Sequence, residues 1–429
     1  MSASTKVLLR HLGGDTKRPS GQNGFALLMA LILVVLITAF VTDFNYKSRI
    51  DIISAGHHRD DVRANYLAKS GIRTYGLLLV MGRQVGRNPM AQSFLAGMGM
   101  NLDGAAMVCR SIPFLDTAML RFMTQVGEGM MSEEEEQGLL SLVGVGGQAD
   151  NSQSPTSPSR GEIDATADDE PEGLKRDLLA FEGDFKVDCI DESSRIDLNG
   201  FANQTWAGYT IQQHPTALML YGLMAHEDFD PLFEERLKMD RWELIGNIKD
   251  WVDPDSERSG IWGGDEDALY DNYEPRYRSK NGRFDTVEEL RMVHGVTDEV
   301  WALFGEGLSV HTQNFKVNIN SSSPEMIRAL IRAYSDPAIV PMQLIDTKIP
   351  ELMAERIFIP YARPTDFISR VQAKGITLRD TNRLKSVIST DSKVFRLSST
   401  GYVNESTYNT VAVLRINNNG VRYLLWKDN

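Results

Sequence analysis

The sequence predicts an α+β fold: one very long N-terminal helix, a small antiparallel sheet packed on its continuation, and a mainly helical region inserted into that sheet. Three observations carry this. An uncharged apolar run at Gly24 to Thr42 passes without a break into an amphipathic stretch, residues near 185 and from 394 onward alternate at the period of strands, and helical spacing dominates between them.

The apolar run begins at a glycine and ends at Asp43. A membrane-crossing helix needs about 20 apolar residues and a secretory signal core only about 7 to 15, so the run is long for a signal core. Its C-terminal end, Thr38 to Asp43, carries no small-residue cleavage pattern. Lys6, Arg10, Lys17 and Arg18 precede it against a lone Asp15, an excess of positive charge that predicts a cytoplasmic N-terminus and an outward-facing remainder. Beyond Asp43, the apolar positions Phe44, Ile50, Ile53, Val62, Tyr66, Leu67, Ile72, Leu77 and Val80 recur mostly three and four apart. One helix from about Phe25 to Met81 would measure roughly 85 Å and bury one face of its later part.

Between Ser132 and Leu174 the composition turns acidic and rich in small polar residues, beginning with Glu133 to Glu136. Such a segment buries too little apolar area to fold and reads as a disordered acidic loop over 132–174. Phe181, Phe185, Val187 and Cys189 then alternate as a strand, followed by a turn-like DESSRIDLNG. ALMLYGLMAHEDF, DRWELIGNIKDWV, TVEELRMVH and PEMIRALIRAY carry helical spacing within 201–390. Segments 284–297 and 364–377 are weakly alike, each placing a glycine after a short helix. Val394 to Tyr402, Thr407 to Ile416 and Val421 to Trp426 close the chain as three strands, the last two joined by a turn at Asn417 to Gly420. The expected parts are therefore 1–24 ahead of the anchor, 25–42 in the membrane, 43–200 as helix and sheet, 201–390 as the helical insert and 391–429 as the strands completing the sheet.

The 45 basic and 58 acidic residues give a formal charge of -13, which opposes broad contact with phosphate backbones. Cys109 and Cys189 are too few for a disulfide scaffold; a single bridge and two buried thiols both remain open. The sequence holds no GxSxG, Walker or HExxH motif. Trp242, Trp251, Tyr270, Tyr273 and Tyr277 read as core. Asp250, Asp253, Asp255, Glu257, Asp265, Glu266, Asp267 and Asp271 crowd around Arg258, with Gly260, Gly263 and Gly264 between them. By composition this is a solvated face or a loop able to hold calcium, which takes about 6 to 8 oxygens in irregular geometry; the spacing is not that of an EF-hand.

Four features together resemble the minor pseudopilin K family of the type II (general) secretion pathway. They are the pilin-like start Gly24-Phe25, the tract Asp250-Trp251-Val252-Asp253-Pro254-Asp255 with Gly264 to Tyr270, the run Arg283 to Leu290 continuing to Val293-His294-Gly295-Val296, and Val317-Asn318-Ile319-Asn320-Ser321. The resemblance implies a pilin-like fold with an inserted SAM-like, helix-hairpin-helix domain. It implies cleavage of a leader after Gly24 by a prepilin peptidase, methylation of the new amine on Phe25, and calcium, with Asp253, Asp255, Asp265 and Asp267 as first ligand candidates and Glu257 and Glu266 next. The leader departs from the pattern in placing Gln22 and Asn23, not bases, before the glycine. Most pilin-like chains carry a glutamate at the fifth mature position to pair with a neighbour's amine; that position is Met29 here, and the K family lacks the glutamate, which implies a place at the tip of the assembly.

The implied function is priming of a periplasmic pseudopilus for protein export, without catalysis. Its implied partners are the other minor pseudopilins, the major pseudopilin, the inner-membrane secretion machinery, secreted proteins and the inner membrane itself. Two rival readings are a DNA-uptake pseudopilin and a membrane-anchored periplasmic enzyme. The Val293 to Val296 hairpin could grip phosphate, but Asp285, Glu288, Glu289, Asp298 and Glu299 flank it, which opposes DNA.

Overall fold

The computed structural model describes residues 22–87, 103–122, 181–203, 208–313, 315–417 and 420–428. The residues ahead of 22 and the acidic stretch 132–174 lie outside these. The chain divides into two units, Met1–Val62 and Arg63–Asn429.

The first helix, α1, runs unbroken over Gln22–Arg87. Among the described residues it is the one helix long and apolar enough to cross a membrane. Leu27, Met29, Leu31, Ile37 and Phe40 are all exposed, as expected of a surface whose solvent is lipid. Thr38 and Thr42 return their hydroxyls to the carbonyls of Val34 and Thr38 one turn back, so neither leaves a free donor in the apolar stretch.

In the second unit a five-stranded antiparallel sheet has the order β1 (Phe114–Asp116), β2 (Asp184–Asp191), β3 (Val394–Val403), β4 (Ser406–Asn417) and β5 (Gly420–Asp428). β2 alternates strictly, with Phe185, Val187 and Cys189 turned inward. Its partner register places Val187 opposite Ser399 and Cys189 opposite Leu397. β3 and β4 turn tightly through Asn404, whose φ of 52° suits an asparagine. β5 pairs with β4 through a bulge at Val413/Leu414.

The helix stripe that this sheet covers differs from the one the apolar period suggests. Tyr66 is exposed, whereas Ala64, Ala68, Ile72, Tyr75 and Leu79 are fully buried. The reason is steric: a Cβ added to Gly401 on β3 would stand 2.1 Å from the Ala64 carbonyl oxygen. Such close approach admits only small residues, so alanines rather than large apolar side chains define the contact. The same core holds α2 (Gly104–Ser111), where Cys109 is joined to Cys189 of β2 in a disulfide.

Between β2 and β3 lies a mainly helical body with its own hydrophobic core, drawn from residues Ile196 to Ile388. Its helices are α3 (Pro215–Met224), α4 (Arg241–Asp250), α5 (Asp298–Phe304), α6 (Pro324–Tyr334), α7 (Met342–Phe358), α8 (Pro364–Ala373) and α9 (Thr381–Val387). Two short parallel pairings tie it together, Ile196 with Leu308 and Val317 with Ile388. α3 is buried nearly all round, and Gly222 lets the Ala329 backbone of α6 come close enough that a Cβ there would meet its carbonyl oxygen at 2.1 Å. The stretch TVEELRMVH forms a single short 3-10 segment, Val287–Met292, leading to the turn at Gly295 with φ 89°.

Candidate metal centre

The acidic tract begins on the last turn of α4. Asp240 caps the start of that helix by accepting from the Trp242 N–H, and Asp250 is its final residue. The chain then makes one more turn, with Asp253 N–H donating to the Lys249 carbonyl at 3.0 Å. This places Asp250 and Asp253 three residues apart on one side of the helix end. The loop that follows runs out and back: Glu257 and Asp265 pair as an isolated bridge, and Glu266 N–H reaches the Ser256 carbonyl at 3.3 Å. Gly260, Gly263 and Gly264 take φ of 89°, 55° and 97°, which lets the loop reverse.

The return of the loop brings Glu266 to the helix end. One carboxylate oxygen from each of Asp250, Asp253 and Glu266 lies within 4.8 Å of the others. All three residues are buried, at 3%, 7% and 1% exposure. Asp250 accepts the Ser259 N–H on both oxygens at 3.0 Å. Asp253 accepts from the Lys249 ammonium through Oδ2, but its Oδ1 and both oxygens of Glu266 have no hydrogen-bond partner. Burial pushes the Glu266 carboxyl up to about 8, with the charges of Asp250, Asp253 and Asp255 adding to it. Burial likewise raises Asp250 to about 6, against the pull of Ser259, and raises Asp253, where Lys249 pulls it back.

Unpartnered carboxylate oxygens are costly to bury. A divalent cation at their centre would meet that cost, and the donor set, all oxygen with no nitrogen or sulfur, suits a hard ion such as calcium. The residues present therefore fit the group.

Of the six candidates drawn from the sequence, Asp253 and Glu266 converge. The other four are not part of that cluster. Asp255 is exposed and accepts the Glu257 N–H, and Glu257 is exposed on the loop rim. Asp265 is exposed and accepts the Asp267 N–H, while Asp267 accepts the Ser279 N–H and pairs with Arg278. These carboxylates shape the turns. Asp250, which lay in the tract but outside the candidate set, supplies the third corner. The Asp250-x-x-Asp253 spacing at a helix end was the signal for it.

Of the five aromatic residues read as core, Trp251 and Tyr270 are buried, edge to face at 5.5 Å, and Trp251 donates its indole N–H to Glu289; Trp242 and Tyr277 are partly buried against that core, and Tyr273 is exposed at the loop surface. His294 stands in the hairpin turn with Nδ1 3.1 Å from the Tyr273 hydroxyl.

Residues 194–306, which contain the whole carboxylate cluster, match the family model described as type II secretion system (T2SS), protein K. The similarity to that family covers 113 of the 429 residues, about a quarter of the chain. A curated relative, type II secretion system protein K of Aeromonas hydrophila, is 32% identical over 95 residues. That match spans 22% of this chain and 28% of the relative, little more than a quarter of its length. Among solved structures, the GspK–GspI–GspJ complex of the enterotoxigenic Escherichia coli type 2 secretion system aligns at 18% identity and a TM-score of 0.46, over 58% of this chain and 80% of that one. The matched residues 194–306 lie between β2 and β3 of the antiparallel sheet, within the helical body.

Proposed function

We propose that this chain is a minor pseudopilin of a type II secretion system, placed at the tip of the periplasmic pseudopilus, where it primes assembly for protein export across the outer membrane. The observation that carries the reading is the match of residues 194–306 to the protein K family, in a chain whose helix α1 is long and apolar enough to cross a membrane. In this reading α1 crosses the inner membrane once, with the basic N-terminus in the cytoplasm and the sheet and helical body in the periplasm. Its partners are the other minor pseudopilins, the major pseudopilin, the inner-membrane secretion machinery and secreted proteins, and its role is structural rather than catalytic.

Met29 supports the tip position. A carboxylate in lipid is kept where a cationic partner compensates it, and a subunit with none ahead of it needs no such group. The test is the mass of the mature chain recovered from cells with the prepilin peptidase. A chain beginning at methylated Phe25 is the expected result, and one that retains residues 1–24 would refute the assignment.

The same reading takes Asp250, Asp253 and Glu266 as a calcium site, with Asp255, Glu257, Asp265 and Asp267 holding the loop in shape. Bound calcium would supply positive charge to three buried carboxylates and fix the loop on the end of α4. Adding calcium after chelation is expected to raise the thermal midpoint, since a ligand of the folded state stabilises it. An unchanged midpoint would remove the metal from this account.

A further inference from the structure

Lys249 has no place among metal ligands, yet it stands directly on the cluster. Its side chain is 21% exposed, and its ammonium donates to Asp253 Oδ2 and, at 2.6 Å, to Ser259 Oγ. Ser259 is also the residue whose N–H binds both oxygens of Asp250. Lys249 and Asp250 therefore grip the same loop residue, one through its hydroxyl and one through its amide. The field of Lys249 reaches all three carboxylates, and for each it is the one positive side chain among the leading influences.

Charge counting gives this a consequence. With an ion bound and all three carboxylates ionised they carry -3, and Lys249 brings the cluster to -2, which one divalent ion would neutralise. Lys249 need not leave when an ion enters, because Asp253 Oδ1 and both Glu266 oxygens are free of it. It does repel the ion. At about 5 Å in water-like surroundings, a unit charge and a double charge repel by an amount worth roughly tenfold in affinity, and more where water is excluded.

We propose that Lys249 is a resident counter-cation of the carboxylate cluster, which keeps the loop docked on α4 when no metal is bound and lowers the cluster's affinity for a divalent cation. The inference rests on the calcium reading above, and names what sets the strength of that site. With Lys249 in place the metal-free protein remains folded and metal binding stays reversible. Without it, folding of the loop would depend on the ion.

The experiment compares the full chain in detergent with Lys249→Gln, which keeps hydrogen-bonding capacity but loses the charge, and Lys249→Met, which loses both. Calcium affinity is measured by titration calorimetry after chelation, and thermal midpoints with and without calcium are read at fixed pH and ionic strength. Both variants are expected to unfold at a lower temperature than the parent when metal-free, to bind calcium roughly tenfold tighter or more, and so to show a wider calcium-dependent shift. A variant unfolded after chelation that refolds on calcium addition is the extreme of this result. If either variant binds calcium no tighter than the parent, or stays unfolded in calcium, the inference is overturned. A parent chain that takes no calcium at all refutes the metal site itself, which is a separate outcome.

Discussion

Gly401→Ala tests the closest approach between α1 and the sheet. A Cβ at Gly401 would lie 2.1 Å from the Ala64 carbonyl oxygen, 2.8 Å from the Ala68 nitrogen and 3.0 Å from the Ala64 carbonyl carbon. Carbon and oxygen rest about 3.3 Å apart in ordinary close contacts, so the helix must back away by about 1 Å. Every atom it meets is backbone, which cannot rotate aside. The φ of Gly401 is not in the left-handed region, so the backbone itself would accept alanine and even gain about 0.5–1 kcal/mol from it. Against that gain, moving the helix loosens Ala68, Ile72 and Tyr75, all fully buried against the sheet. Overpacking of this kind costs about 1–3 kcal/mol, and a backbone obstacle belongs at the upper end, for a net loss of roughly 2 kcal/mol. Gly71→Ala is the comparison, because its Cβ would meet side-chain atoms alone, the Ser399 hydroxyl and a Val187 methyl at 2.7 Å and the Phe185 ring at 2.9 Å, which can shift more readily than backbone. Unfolding followed by tryptophan fluorescence in denaturant should place Gly401→Ala below Gly71→Ala, and both below the parent. A Gly401→Ala midpoint equal to the parent's would show that the helix and sheet are not held at this distance.

Two further outcomes are expected. The Cys109–Cys189 bridge closes a loop with a sequence separation of 80, for which chain entropy gives about 4.5 kcal/mol, so Cys109→Ala/Cys189→Ala should unfold several kcal/mol more easily than the oxidised parent in matched denaturant curves, and equal curves would count against the bridge. His214 is buried on Phe201 with neither ring nitrogen partnered, and burial, with a smaller push from Lys249, lowers it to about 4. Its folded value lies below the unfolded one of 6.5, so its contribution is complete above pH 6.5 and is lost as pH falls toward 4, by about 3 kcal/mol. His214→Phe should lack that acid slope, so the difference between parent and variant stability should fall by about 3 kcal/mol from pH 6.5 to pH 4, and a difference that does not change with pH would mean the ring is not held neutral.

Much of this fold was legible because its signals are local. Alternation at Phe185, Val187 and Cys189 needs no knowledge of a partner strand, and the C-terminal strands appear where Val394, Thr407 and Val421 announced them. The buried stripe of α1 was not legible. Alanines at 64 and 68 carry little hydrophobic signal, and only the presence of Gly401 on a strand more than 300 positions away makes small size the requirement there. The disulfide was undecidable for a similar reason, since it depends on where α2 lies against β2. In the acidic tract the composition was plain, but which carboxylates converge depends on the path of a loop whose glycines take left-handed angles. Asp255 and Asp265 look like ligands by residue type, and become turn residues once their own neighbours' amides claim them.

The inserted helical body is joined to the sheet at one place, as follows from the way the chain enters and leaves it. Its chain leaves β2 at Asp191 and re-enters β3 at Val394, adjacent strands, so both ends of the insert meet in one place. Buried charge gathers there. Glu192 is fully buried and faces Arg195 at 3.4 Å from the entering segment and Arg396 at 2.7 Å from the returning one, while Ser309 of the domain donates its hydroxyl to the other oxygen. Asp191 accepts from the Ser193 N–H, the Ser392 hydroxyl and the Asn318 amide. Apolar residues would fill this space at less cost, because taking charges out of water offsets most of what their pairing returns. They would also slide. A set of carboxylates satisfied only when entry strand, return strand and domain all stand in one arrangement penalises every other arrangement by leaving a charge unpaired. For a chain proposed to cap a filament, that penalty resists swivelling at the junction, and it ties the inserted body to β2 and β3, the strands packed on the buried face of α1.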